Sequence, residues 1–252
     1  MQAEAHEFWL DPVDFAPKAG ARVPMVQRNG INFLGDSYPY ERAMAKRFTV
    51  QDVRGERAIK AVEGDDPMAE VHVPNAGLAI VAFQRAPDIV TYTSVAQLLV
   101  TLDDEGLDAL AAQYRAMPNP PATVRESYAR YAKTLLKVGA GTGDDRVIGL
   151  TMEIVVEGNP YLLAKDAAIV ARVLFQGKPA ADTQIKVFNR TDPQSPRRIR
   201  SDAEGRISVA GIPPGEVLLS AVVMLPGDPN ARDAKLRADW VSHWASLTFK
   251  RP

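Results

Sequence analysis

The chain has 252 residues, of which 46% are hydrophobic and 24% are charged, which is typical of a globular protein with a core of useful size. Its formal net charge is -1, so it carries no overall field that would favour nucleic acid or an anionic membrane. The absence of cysteine excludes disulfides, thiolate metal sites and a cysteine nucleophile. No run of 18 apolar residues is present, so the sequence predicts no membrane-spanning helix.

The first residues combine a processing signal with a candidate metal ligand. Ala3-Glu4-Ala5 has the small-x-small form that a signal peptidase cuts after. We therefore expect an exported, periplasmic protein with a signal peptide upstream of Ala3 that is cleaved after Ala5 or shortly before Gln2. Cleavage after Ala5 would make His6 the first residue of the mature chain. The free amine and the imidazole of an N-terminal histidine can chelate one metal ion together. The alternative is an intracellular protein that starts at Met1 and carries Ala-Glu-Ala by chance.

The N-terminal part, residues 6–140, is predicted to be a β-rich domain that ends in two helices. Short extended runs broken by turn residues predict the strands, with a turn at Asn29-Gly30 and a hairpin across Gly55. Residues 31–42 are rich in Gly, Pro and Tyr and are predicted to form a long surface loop. Apolar spacings of three and four then predict helices from about Asp103 to Ala116 and from about Thr123 to Val138.

The glycine-rich stretch from Gly139 to Asp145 is the predicted domain boundary. Residues 146–252 return to short apolar runs separated by turns and predict a second β-sandwich of about seven strands. The predicted fold class is therefore mainly β, with two β-sandwich-like domains and a helical pair at about 103–138 between them. The predicted core of the second domain comprises Val170, Val173, Ile185, Val187, Ile207, Leu219, Ala221, Val223 and Leu247.

The turns of the C-terminal half resemble those of transthyretin-like and carboxypeptidase-regulatory-like β-sandwiches. Those domains share a Gly-x-Pro turn with a valine at the end of the following strand, then Asp-x-x-Gly-Arg and Pro-Pro-Gly. The matching residues are Gly177, Pro179, Val187, Asp202, Gly205, Arg206, Pro213, Pro214 and Gly215. The resemblance implies a transthyretin- or immunoglobulin-like sandwich and says little about function.

A second resemblance covers nearly the whole chain. It rests on AHEFWL at 5–10, EGL at 105–107, YARYAK at 128–133, GLTMEI at 149–154 and WASLTF at 244–249. Together these segments resemble a bacterial family of exported proteins of largely unknown function, often labelled as nickel- or cobalt-uptake accessory components. The resemblance implies a periplasmic protein that supports a membrane metal-uptake transporter. The chain departs from the expected pattern at Gly35-Asp36, where many relatives are expected to carry Gly-His.

Three histidines are the candidate metal ligands. His6 is the strongest because a mature N-terminus would give it two nitrogens, His243 is its expected partner and His72 is the weaker one. For the last two the structural interpretation is favoured: His72 as an exposed strand residue, His243 as a buried residue with a backbone hydrogen bond. Neutral imidazole suits Ni, Co, Cu and Zn alike, so the ligand type does not select the metal.

The sequence offers no arrangement typical of catalysis, and we expect a protein that is not an enzyme. Asp239, Ser242 and His243 contain the residue types of a catalytic triad, but neighbours on one strand point to opposite faces. Paired acids such as Asp103-Asp104 are interpreted as acids at a helix start. The alternative to a metal accessory role is a non-enzymatic β-sandwich module that binds a protein or a glycan.

Overall fold

The computed structural model describes residues 7–164, 166–233 and 237–252. Within these ranges the protein is mostly β, with seventeen strands, two α-helices and a short 3-10 helix at Arg42–Met44. His6 lies outside the described residues. The mainly β fold class predicted from the short alternating runs is confirmed.

The described strands form three sheets. A first sheet contains β1 (Glu7–Pro12), β2 (Ala21–Ile31), β3 (Leu34–Tyr38) and β6 (Ala69–Val73). A nine-stranded sheet contains β4 (Ala45–Asp52), β5 (Gly55–Ala58), β7 (Gly77–Arg85), β8 (Asp88–Tyr92), β9 (Val124–Val138), β13 (Gln184–Asn189), β14 (Arg197–Arg200), β16 (Gly215–Pro226) and β17 (Trp240–Arg251). A third sheet contains β10 (Met152–Val156), β11 (Ile169–Phe175), β12 (Lys178–Pro179) and β15 (Arg206–Val209). The helices α1 (Val95–Asp104) and α2 (Asp108–Arg115) lie between β8 and β9.

The nine-stranded sheet takes strands from both halves of the chain. Its order is β14-β13-β16-β17-β9-β7-β4-β5, and β8 pairs with the first part of β9. The two halves meet where β17 runs parallel to β9, with Trp240 opposite Glu126 and Thr248 opposite Thr134. The predicted boundary at 139–145 therefore falls between strands that belong to one hydrogen-bonded sheet.

The apolar core fills both faces of the nine-stranded sheet. On one face Ala132 and Leu136 of β9 pack with Phe8 and Leu10 of β1. On the other face Tyr131 and Leu135 belong to a cluster that includes residues of β10, β11 and β16. Because both faces are covered, the central strands are buried on both sides.

The helix predicted from Thr123 to Val138 is wrong, because these residues form the fifteen-residue strand β9. The predicted helical stripe included Tyr128, Tyr131, Leu135 and Leu136 at spacings of three, four and one. In a strand buried on both faces, apolar residues occur without strict alternation, so the sequence also matches a helical period. The hydrogen-bonded pairing of β9 with β7 on one side and with β17 on the other stabilises the strand over a helix.

The first predicted helix, from about Asp103 to Ala116, corresponds to α2, whereas the sequence analysis did not predict α1. Helix α1 begins after Ser94, whose side chain accepts a hydrogen bond from the Gln97 backbone amide, and ends at Asp104. The predicted helical pair at about 103–138 is therefore a pair at 95–115. The acids at 103–105 lie at the C-terminal end of α1, where the helix dipole disfavours them, and not in a first turn. The serine cap was the sequence signal for the true start.

The loop predicted at residues 31–42 contains strand β3. A two-residue turn at Asn32 and Phe33, with φ of 57° and 59°, connects β2 to β3 in place of the turn predicted at Asn29-Gly30. Two central residues with positive φ are the signature of a type I′ hairpin. Gly35 is needed here because a Cβ would lie 2.4 Å from the Asn29 carbonyl oxygen. The glycine that indicated a loop is thus a strand residue that allows close approach.

The core predicted for the second half is largely confirmed. Seven of its nine residues are buried, whereas Val170 and Val223 are half-buried, and Val223 packs against the same cluster. Ile169 and Ala171 are buried on either side of Val170 and in phase with Val173, so Val170 is the predicted core residue that faces the other side of this strand. The alternating pattern therefore located these strands correctly, with one residue assigned to the wrong face.

Candidate functional site

The structure separates the two described histidines. His72 is exposed on β6, opposite Arg22 of β2 in the first sheet. His243 is half-buried on β17 in the nine-stranded sheet, with its Nδ1 atom 3.0 Å from the Tyr131 hydroxyl. Its ring stacks on that of Tyr131 at 5.9 Å and contacts Phe175 at 5.0 Å. Burial lowers the pKa of His243, which favours the neutral imidazole.

A group of three carboxylates forms the candidate cation site. One oxygen from each of Glu7, Asp104 and Glu105 lies within 4.8 Å of the others, the single such group of potential metal ligands in the described residues. Glu7 begins β1, Asp104 ends α1, and Glu105 follows it directly. The side chains of Glu7 and Glu105 are 3% exposed, whereas that of Asp104 is 44% exposed. Neither His72 nor His243 belongs to this group.

The ammonium of Lys186 lies among the three carboxylates. Lys186 is a buried residue of β13, and its Nζ is 2.9 Å from Asp104 Oδ2, 2.5 Å from Glu105 Oε1 and in contact with Glu7. Burial alone would lower the pKa of Lys186, but the charges of Glu105, Glu7 and Asp104 together outweigh burial and raise it. The lysine therefore stays charged and holds the place that a bound cation would take. We call Glu7, Asp104, Glu105 and Lys186 the Lys186 cluster.

The two acids at the C-terminal end of α1, Asp104 and Glu105, have opposite pKa shifts. Burial raises the pKa of Glu105 to about 7, against the attraction of Lys186. Burial also acts to raise the pKa of Asp104, but Lys186 and Arg198 together lower it below its ordinary value. The Arg198 guanidinium donates to Asp104 Oδ1 at 2.7 Å. When Glu105 is protonated, two carboxylates balance two cations, and its ionisation adds one uncompensated negative charge.

The hairpin of β13 and β14 fixes the turn between α1 and α2. Gln184 Nε2 donates to the carbonyl oxygen of Asp104 at 2.8 Å, which satisfies a free carbonyl at the helix end. Arg200 donates to the Gly106 carbonyl at 2.6 Å and forms an ion pair with Asp108. Gly106 has φ of 65°, and a Cβ there would lie 2.7 Å from the Gln184 side chain. The local fold therefore presses the acidic turn against β13.

A second buried lysine has different surroundings. Lys133 of β9 lies 3.0 Å from Asp145 and 3.2 Å from Glu153, and all three side chains are at most 1% exposed. Glu153 also accepts from the backbone amides of Ile148, Gly149 and Leu150, at 2.9–3.2 Å. Asp145 accepts from the amides of residues 146 and 156 at 2.8 Å. We call Lys133, Asp145 and Glu153 the Lys133 cluster, and its carboxylates are saturated by the chain itself.

The sequence analysis missed Glu7, Glu105 and Lys186 as site residues. Lys186 stands between Ile185 and Val187, and the alternation of an antiparallel strand normally places such a residue in solvent. Glu7 directly precedes the apolar run of β1, and its charge likewise predicts an exposed position. The acids at 103–105 were noticed, but as helix-start residues. No local signal predicts that residues 7, 105 and 186 meet, because their contact depends on how α1 packs on β13.

The fold and this cluster define the class: a mostly β protein built on one mixed sheet, with a buried group of carboxylates around a lysine. In the described ranges no helix has both the length and the apolar character needed to cross a lipid bilayer. The chain belongs to the DUF4198 family, described as a domain of unknown function, whose model matches residues 3–224. No curated protein matches the chain.

Proposed function

We propose that this protein is a periplasmic metal-binding accessory protein that supports uptake of a divalent transition metal, with nickel or cobalt as the first candidates. The observation that carries the proposal is that His6, the strongest ligand candidate in the sequence, directly precedes Glu7, a member of the Lys186 cluster. The metal is cargo for a membrane transporter in this proposal, not a catalytic cofactor. The resemblance of the C-terminal half to transthyretin-like sandwiches is part of the same proposal and supplies a scaffold only.

The chemistry of the cluster supports a cation site that can be opened. Carboxylate oxygens alone suit hard cations, and an added imidazole extends the site to Ni, Co, Cu and Zn. A divalent ion would displace the Lys186 ammonium and would favour the ionised form of Glu105, whose pKa is about 7. Binding would therefore release a proton near neutral pH. The half-exposed Asp104 provides the path to solvent.

The test is calorimetric titration of Ni²⁺, Co²⁺, Cu²⁺ and Zn²⁺ into protein that starts at His6. We expect saturable binding that is weakened in Glu105→Gln, in His6→Ala and in the form that starts at Met1, because the last converts the His6 amine into an amide. Glu70→Gln is the matched control, since Glu70 is an exposed residue of β6 and loses the same charge. Equal binding by all these proteins would contradict the proposal.

Two further variants distinguish the ligand sets. If His6 binds metal with the Lys186 cluster, His243→Ala and His72→Ala retain the affinity of the wild type. If His243 or His72 completes the site, the corresponding variant loses affinity and Glu105→Gln does not. Absence of saturable binding in every form would favour the alternative, a β-sandwich module that binds a protein or a glycan.

A further inference from the structure

Two arginines share one aromatic ring with no acidic partner in contact. The guanidinium carbon of Arg130 lies 5.5 Å from the ring centroid of Phe8, and that of Arg85 lies 5.9 Å from the same centroid. Arg130 also stacks on Tyr128 at 4.7 Å. Neither arginine forms an ion pair within the part of the chain that the structure describes. Like charges at one ring repel each other, so this arrangement calls for a nearby anion.

Arg130 lies where β9 changes its pairing partner. Tyr131 is opposite Gln84 of β7, and Tyr128 is opposite Asp88 of β8, so residues 129 and 130 have no partner on that side. The Nε atom of Arg130 is buried and has no hydrogen-bond partner. Burial lowers the pKa of Arg130, and the charge of Arg85 lowers it further. A buried donor without a partner is uncommon in a folded protein and indicates a missing group.

The buried carboxylate of Glu126 already has two hydrogen-bond donors. The charge of Glu126 favours the protonated form of Arg130, but one oxygen of Glu126 accepts from Tyr92 at 2.6 Å and the other accepts from Ser242. Glu126 therefore contributes a background charge without a direct contact to the guanidinium. Asp88 lies at the start of β8 and its carboxylate accepts from the backbone amide of Ile89.

Two unpaired acceptors lie on the strand beside Phe8. Asn29 is opposite Phe8, and Gln27 is opposite Leu10, so these side chains share the face of the first sheet that meets β9. Asn29 Oδ1 and Gln27 Oε1 are buried and accept no hydrogen bond. Gln27 Nε2 donates to the Pro39 carbonyl at 2.6 Å, which fixes the orientation of its amide. The same face therefore offers unused donors and unused acceptors.

We propose that this face binds a small oxyanion that also carries a hydroxyl group. The fork of Arg130, with Arg85, matches the geometry of an oxyanion, and the hydroxyl donates to the free oxygen of Asn29 or Gln27. Hydroxycarboxylates and hydrogen phosphate share this chemistry. The site is separate from the Lys186 cluster, because Phe8 and Glu7 are neighbours on β1 and point to opposite faces. Its ligand reaches the half-buried Arg85, Arg130 and Tyr128 from solvent.

The experiment is calorimetric titration of the full chain at pH 7 and constant ionic strength with malate, succinate, phosphate and sulfate. We expect malate or phosphate to bind saturably, and the tighter of the two identifies the ligand class. Their counterparts without a hydroxyl, succinate and sulfate, should bind at least about tenfold more weakly, because a site built for a hydroxyl rejects an analogue that lacks it. The proposal fails if none of the four binds saturably, or if succinate and sulfate bind as tightly as malate and phosphate.

The variants locate the site. Arg130→Gln should weaken binding by about tenfold or more, and Arg85→Gln, at a half-buried position, serves if the first variant does not fold. Arg22→Gln is the matched control, since Arg22 is exposed on β2 and loses the same charge. Asn29→Asp should also weaken binding, because the new aspartate carboxylate repels an anionic ligand. Unchanged affinity in the Arg130 and Arg85 variants would overturn the assignment.

Discussion

The Lys133 cluster and the Lys186 cluster place the same residue types in the same kind of buried environment, but only one of them is closed. Asp145 and Glu153 around Lys133 accept five backbone amide hydrogen bonds in addition to the lysine. Within the described residues, Glu7 and Glu105 around Lys186 have no donor other than the lysine. Five amides and the lysine thus compensate the buried charges of Asp145 and Glu153, whereas Glu105 has only the lysine in the part of the chain that the structure describes, and burial raises the pKa of Glu105 to about 7.

The origin of the two clusters explains this difference. In the Lys133 cluster the acids lie in or beside the segment 145–153, which folds around Glu153 and presents its own amides. In the Lys186 cluster two of the three acids, Asp104 and Glu105, come from the end of α1, where the free groups are carbonyls and not amides. A helix C-terminus therefore cannot satisfy Glu105 and leaves the lysine as its only described donor. Position in the fold, not composition, separates a structural ion pair from a candidate site.

The largest expected effect comes from Lys133→Met. This change leaves two buried carboxylates without their cation, and removal of one partner from a buried pair costs about 3–5 kcal/mol of unfolding free energy. The measurement is urea denaturation at pH 7. A loss below about 1 kcal/mol would show that the backbone amides alone stabilise Asp145 and Glu153. The contribution assigned to Lys133 would then be wrong.

The matched change Lys186→Met should cost less, about 1–3 kcal/mol in the same assay. Glu105 can take a proton near pH 7, and Asp104 keeps Arg198 and contact with solvent, so fewer charges are left without compensation. Lys186→Arg is the control, because it changes the side chain at this position but preserves the positive charge. A cost equal to or above that of Lys133→Met would contradict the distinction between an open and a closed cluster.

The pH dependence of stability should reveal Glu105. Its pKa is about 7 in the folded protein and 4.5 as a model value, so the folded state binds more protons than the unfolded state between these values. Stability from this group is therefore fully present below pH 4.5 and is lost as pH rises through 7. The loss is on the order of 1–3 kcal/mol. Glu105→Gln should flatten the stability curve between pH 5 and 8 relative to the wild type, measured by urea denaturation.

Asp145→Asn is the control for this pH experiment. Burial also raises the pKa of Asp145, so its variant tests whether any buried acid gives the same curve. We expect the curve of this variant to keep the fall around pH 7 that Glu105 causes. If both variants flatten the curve equally around pH 7, the assignment of the pH dependence to the Lys186 cluster is wrong.

The sequence predicted most of the strands because alternation is a local property. Short apolar or alternating runs became strands such as β6, β7 and β13, and most of the predicted second-half core is buried. Where the strand lies at the centre of the nine-stranded sheet, alternation disappears, and β9 was mistaken for a helix. Local patterns therefore succeed where an apolar run is short and bounded by turn residues, as in β7, although this strand is buried on both faces. They fail at the fifteen-residue β9, whose apolar residues also match a helical period.

The candidate site could not be predicted from the sequence, for a related reason. His6 was named from its position in the chain, and it lies outside the described residues. Glu7, Glu105 and Lys186 come together from β1, the α1–α2 turn and β13, which are separated by about eighty or more residues at each step. Contacts at this separation depend on tertiary packing, so no spacing rule finds them. Because α1 was not predicted, the acids at 103–105 were interpreted as the start of a helix and not as the end of one.

The smallest expected effect comes from the start of α1. Ser94→Ala removes the side-chain acceptor of the Gln97 amide and should cost about 1 kcal/mol, whereas Ser94→Asp retains the cap and should be near neutral. Because α1 carries Asp104 and Glu105 at its other end, hydrogen exchange should rise at the α1 amides in Ser94→Ala. The amides of residues 148–150, which bind Glu153 in the Lys133 cluster, should keep their protection. A rise in both places, or in the second alone, would mean that the two clusters open together and that the Lys186 cluster is not separately mobile.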